Sequence, residues 1–168
     1  MSISMYSASV PVFVRMLNSL AAVLEKGDAH AKAKNIDPAI LLGSRLYPDM
    51  FPLSRQVQIA SDGAKGGAAR LAGVDIPAYE DNEKTFEDLV ARCRKTVAFL
   101  ETLKPAQIDG SEEKTITLEM RAGPVSFKGQ NYLLNHVNPN LFFHITTAYG
   151  ILRHNGVELG KRDYLGKP

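Results

Sequence analysis

Four stretches of this chain repeat apolar residues at spacings of three and four, and proline or glycine stands at the ends of each. One face of a 3.6-residue helix returns every three or four positions, so the pattern commits most of the chain to amphipathic helices. In the first stretch Val10, Phe13, Val14, Leu17, Leu20, Ala21 and Leu24 form the stripe, which predicts a helix over 7–26. Pro11 suits only its first turn, and Gly27 stands where a C-terminal glycine ends a helix. In the second, Leu53, Val57, Ala60, Ala64, Ala68 and Leu71 predict a helix over 52–73. In the third, Phe86, Leu89, Val90, Cys93, Val97 and Leu100 follow a capping pattern at Thr85 and run to about 103, where Pro105 stops them. In the fourth, Asn138-Pro139 reads as an N-cap and a first-turn proline, and Asn155-Gly156 as a stop, which predicts a helix over 138–154.

The connections differ in kind. Residues 28–51 read as an irregular segment with short helical turns, one of them starting at Asp37-Pro38, and with breaks at Tyr47-Pro48 and Phe51-Pro52. Residues 74–84 form a loop around Pro77. Residues 114–120 alternate polar and apolar, Arg121-Ala122-Gly123-Pro124 is a turn signal, and 125–127 can return as a second strand. A lone hairpin is marginal in water, so this one has to pack on the bundle or on another subunit. The expected fold is all-α: an up-and-down four-helix bundle in a single domain, 1–168, with a small β-hairpin between the third and fourth helices.

Composition narrows the partners. The chain has 168 residues, enough for one domain with a proper core. A formal net charge of +2, with its basic residues scattered, argues against electrostatic binding of nucleic acid. The single cysteine, Cys93, forms no internal disulfide and suits a reducing compartment. It lies in an apolar stripe, which points to a buried thiol rather than a nucleophile. Arg15 interrupts the first apolar stretch, and no run is long and apolar enough to span a bilayer. The expectation is a cytoplasmic protein without a membrane partner.

Two features could carry chemistry. The second helix holds Gly63, Gly66 and Gly67 among alanines, although each helical glycine costs about 1 kcal/mol against alanine. Either a neighbouring backbone approaches closely there, or space is left for a ligand. Lys65-Gly66-Gly67 lacks the spacing of a phosphate loop. The other feature is the histidines, His30, His136, His144 and His154. In the fourth helix Leu141, Ile145, Ala148 and Leu152 share one face, His144 borders it, and His154 points to the opposite side. The last two lie about 15 Å apart along the axis and cannot clamp one metal ion.

His144 is therefore the leading site candidate, as a ligand-binding or acid–base group in an inter-helix cavity, or else as a core histidine bonded to a neighbouring helix. Gln58, Asp62 and Lys65 share one polar face of the second helix. That face is either solvated or turned inward, where Asp62 and Gln58 would meet His144. Tyr149 and Arg153 add polar groups to the fourth helix. Arg153, with His154 and Asn155, would bind an anion or cap the helix end.

The segment Pro139-Asn140-Leu141-Phe142-Phe143-His144-Ile145-Thr146-Thr147-Ala148-Tyr149-Gly150-Ile151-Leu152-Arg153-His154-Asn155-Gly156-Val157 resembles the C-terminal signature of an uncharacterised bacterial and fungal domain-of-unknown-function family. Asp49-Met50-Phe51-Pro52-Leu53 with Gln56-Val57-Gln58, and Ala69-Arg70-Leu71-Ala72-Gly73, resemble its second-helix motifs. That family is similar to the DinB/YfiT-like superfamily of four-helix bundles, many of them regarded as metal-dependent enzymes, some using thiol cofactors in transferase reactions. The superfamily's metal site typically takes one histidine from the second helix and two, four residues apart, from the last. Here only His144 matches: Ala148 stands four residues on, and 52–73 contains no histidine.

The resemblance thus implies the fold, and a small-molecule-binding or enzyme-like protein without the three-histidine site. Two alternatives stand beside it. One is a homodimeric binding or interaction module. The other is a zinc or nickel site with unorthodox ligands, His144 with Asp62 and Gln58, although glutamine is a poor ligand for zinc.

Overall fold

Asn35, in the left-handed conformation at φ 52°, closes the first helix, α1 (Val10–Lys34). The helix runs well past the expected stop at Gly27, and packing explains why. A Cβ on Gly27 would lie 3.0 Å from the Phe86 ring and 3.1 Å from a Leu152 methyl. The glycine lets three helices meet; it does not end one. In this computed structural model, which describes residues 3–166, the ends of the expected domain (1–2 and 167–168) lie outside the described residues.

A short helix, α2 (Pro38–Gly43), follows with the Asp37 carboxylate accepting from the Ala39 N–H. Next comes α3 (Leu53–Ala72), which ends where the sequence indicates, at Gly73 with φ 72°. The fourth helix, α4 (Phe86–Thr102), opens on a reciprocal capping box between Thr85 and Asp88. A single turn not foreseen in the sequence, α5 (Pro105–Ile108), buries Ile108.

The hairpin is present as β1 (Thr115–Met120) and β2 (Gly123–Lys128), antiparallel, with Thr115 opposite Lys128 and Met120 opposite Gly123. Ile116 is buried and Leu118 and Phe127 pack against the core, so one face of the hairpin lies on the bundle.

The last helix begins earlier than expected. It starts as α6 (Gly129–Tyr132), widens through a π-helical turn (Leu133–Val137), and continues as α7 (Asn138–His154). Asn138 has helical dihedrals, φ −60° and ψ −50°, so it is no N-cap. Pro139 has no N–H to give the preceding turn, and the wider turn just before it accommodates that loss. Gly129 is forced: a Cβ there would lie 1.9 Å from the Ser111 carbonyl oxygen. The tail forms α8 (Lys161–Leu165). It is held by Arg15 Nε donating to the Leu165 carbonyl at 2.9 Å and by the Lys26–Asp163 pair at 2.7 Å.

The chain is mainly helical, and its long helices enclose one core. α1 packs on α4 and α7, and α3 packs on the same two from the other side. Cys93 is fully buried, and burial pushes its thiol pKa up to about 12, which makes it inert at neutral pH. No helix among the described residues is long and apolar enough to cross a membrane.

Candidate functional site

His144 lies buried on α7 at the seam with α3, with Nδ1 2.6 Å from Oε1 of Gln56. The Gln56 amide nitrogen donates to the Phe51 carbonyl at 3.0 Å, which turns its oxygen toward the imidazole. Nδ1 therefore carries the hydrogen and donates it. Burial, and after it the charge of Arg55, lowers the His144 pKa, so the ring is neutral at pH 7.

Asp62 and Gln58 do not come to His144. Gln58 stands two residues from Gln56, about 200° around the helix, and Asp62 turns the same way. Both face α4. Asp62 pairs with Arg92 at 2.8 Å and with Lys65 at 2.8 Å, and Gln58 donates to Glu83 at 2.8 Å. Tyr149 meets the Tyr164 ring edge-on, with centroids 6.2 Å apart, and Arg153 is exposed. The donors at His144 do not fit a metal ion. Its Nδ1 faces a glutamine oxygen, and Ala148 offers nothing one turn on. Among the described residues no three His, Cys, Asp or Glu side chains are placed to hold an ion.

The polar face of α3 instead belongs to an ion-pair network. Arg92, nearly fully buried on α4, holds Glu83 at 2.7 Å, Asp62 at 2.8 Å and Asp81 at 3.0 Å. It also donates to the Glu80 carbonyl. Lys65 lies 3.7 Å from the centre of the Tyr79 ring. Burial would raise the Glu83 pKa, but the hydrogen bonds from Arg92 and Gln58 outweigh it and hold the carboxyl low. A cavity of about 730 Å³ opens beside this network. Its main charges neutralise one another, and what they do is tie residues 80–83 to α3 and α4.

A third place has a different character. A cavity of about 430 Å³ lies between the hairpin, α3 and the last helix. Arg70, Tyr132, His136, Asn140, Leu118 and Gly63 line it. The Arg70 guanidinium donates to the Tyr132 hydroxyl at 3.3 Å and joins no ion pair among the described residues. His136 stacks on Tyr132, with centroids 5.7 Å apart, and meets Phe127 at 5.2 Å. The glycines of α3 explain how the walls come together. A Cβ on Gly67 would lie 2.6 Å from a Val137 methyl, so the π-helical turn sits directly on α3. Gly63 faces Asn140 with room to spare, 3.7 Å from where its Cβ would be. Close approach and open space both occur, at different glycines.

Of Arg70, Tyr132, His136, Asn140 and Gln56, only His136 is singled out for its chemistry in the sequence, and there only as one of four histidines. The signal existed for most of them. Gly63, Gly67 and Arg70 follow helical spacing, and so do Tyr132, His136 and Asn140. The second series was hidden because Asn138-Pro139 read as a helix start.

The model of a domain of unknown function, DUF1993, matches residues 5–165. Among solved structures, a crystal structure of a DinB family member from Shewanella denitrificans is 43% identical, with a TM-score of 0.89. The match covers 97% of this chain and 92% of that one. No curated protein matches.

Proposed function

We propose that this chain, which belongs to the DUF1993 family and has the DinB-like helical fold, binds a small molecule in the cavity beneath its β-hairpin. One observation carries the reading: the π-helical turn Leu133–Val137, which aims His136 into a cavity already lined by Arg70, Tyr132 and Asn140. Single π-helical turns inside α-helices concentrate at functional sites. The volume also falls in the range of small-ligand pockets, and polar groups from the hairpin, α3 and the last helix converge on a wall of mixed polar and apolar character. His144, the strongest candidate from the sequence, is satisfied by Gln56 and serves the α3–α7 seam in this reading. A zinc or nickel ion at His144 is the weaker alternative, for want of further donors.

The test is a fragment screen on ¹⁵N-labelled protein. Fragments are expected to move the amide signals of Gly63, Tyr132, His136 and Asn140 together. Movement elsewhere with these four still would sink the reading.

Assembly as a homodimer is a second proposal. Leu46 and Phe143 are exposed and, with Phe142 and Pro139, border an open apolar hollow of about 600 Å³ that a second copy could cover. Light scattering at micromolar concentration tests it, and a monomer mass would end it. A reducing, cytoplasmic setting fits the lone buried thiol of Cys93.

A further inference from the structure

The cavity beneath the hairpin has one strong electrostatic feature. Arg70 is half-buried, and among the described residues its guanidinium makes a single hydrogen bond, to Tyr132, and no ion pair. A guanidinium has five N–H donors in a planar fork that matches a carboxylate. The side chain is also held in place: it folds back over Gly66, where a Cβ would lie 2.7 Å from Nη1. We infer that Arg70 is the anchor for a carboxylate on the ligand, so that the cavity takes small monocarboxylic acids with an apolar or aromatic body. This rests on the cavity being the binding site.

The rest of the lining fits that class better than a phosphate. Lys114, from the same corner, has its ammonium on the Arg70 and Leu71 carbonyls, at 2.7 and 3.2 Å. Among the described residues no second cation lines the cavity, and the carboxylate of Glu119 borders it. Glu119 repels any anion, and a dianion about twice as much as a monoanion, whose single charge Arg70 alone can pair. Leu118 and the stacked rings of Tyr132 and His136 supply the apolar wall, and the Asn140 amide offers polar contacts.

Charge-matched pairs test this: benzoate against benzamide, and inorganic phosphate as a third probe, each titrated while the Gly63, Tyr132, His136 and Asn140 amides are followed by NMR. Benzoate should bind about tenfold or more tightly than benzamide, the factor expected of a charged hydrogen bond. Arg70→Gln should remove that difference and Arg70→Lys keep part of it. Equal binding of benzoate and benzamide to the wild type would overturn the carboxylate inference while leaving the cavity as the site. Tighter binding of phosphate would overturn it in favour of a phosphate ligand. If no probe moves the four amides, both inferences fall. The wild-type comparison stands even if Arg70→Gln does not fold.

Discussion

Nδ1 of His144 and Oε1 of Gln56 are 2.6 Å apart across the α3–α7 seam, and the geometry of Gln56 leaves only one way to share the proton. The imidazole donates, stays neutral, and is buried. Its pKa is lowered from the usual value near 6.5 by burial and then by Arg55. Below about pH 6.5 the unfolded chain takes up a proton that the folded chain refuses. Stability is therefore expected to fall as pH drops from about 6.5 toward the lowered folded value. Thermal melts of wild type and His144→Leu across pH 5–7.5 check this: the variant should lose that part of the slope, and parallel curves would refute it.

Gly67 sits against Val137 with no room for a methyl. Gly67→Ala should destabilise by about 1–3 kcal/mol, the usual cost of overpacking, despite alanine's better helix propensity. Val137→Ala in the same chain should return part of the loss. Denaturant midpoints of the two variants and the wild type measure it, and a stabilised Gly67→Ala would show that the α3 contact with the π-helical turn yields.

Arg92 is the hub of the network with Asp62, Asp81 and Glu83. Arg92→Met strips the largely buried Glu83 carboxylate of its main partner and should cost about 3 kcal/mol, the low end for breaking a buried pair, because Asp62 and Asp81 reach solvent. Limited proteolysis should then cut within 74–84 faster than in the wild type. Glu83 is held low, so its contribution is present above its unfolded pKa near 4.3 and lost as pH falls through the folded value. That window lies below the one for His144, so the two effects separate on one pH series.

Elemental analysis of protein purified without an affinity tag addresses the metal alternative. Zinc and nickel are expected far below one ion per chain, since His144 faces Gln56 and Ala148 has no donor atom. Near-stoichiometric zinc, lost in a His144→Ala variant, would reverse that assignment.

Much of the architecture was legible because its signals are local. Thr85 with Asp88, Gly73, and the apolar stripes of α3 and α4 each act within one or two turns. The misread positions depend on distant neighbours. Gly27 looks like a stop until Phe86 and Leu152 are brought against it. Asn138-Pro139 looks like a start because a π-helical turn leaves no mark in residue type. The site was less legible still. His144 at the border of an apolar face was visible, but its partner depends on how α3 is rotated. A rotation of about 200° separates Gln56, which meets it, from Gln58, which does not.

The π-helical turn also makes the cavity a matter of counting. Such a turn holds one residue more than an α-helical one, so the faces before and after it are out of phase by about a quarter-turn. Tyr132 lies upstream of that slip and Asn140 downstream; eight residues apart, they would stand about 80° apart on a regular α-helix, and the wider turn narrows that angle, so both border the same space. Dropping one residue at exposed Leu134 would make the segment a regular α-helix and still leave Tyr132 and Asn140, then seven apart, on one face, while the register of Leu141, Ile145 and Ala148 held the bundle together. A chain of this fold one residue shorter between Gly129 and Pro139 would therefore keep both ends of the cavity wall and lose only the wide turn between them.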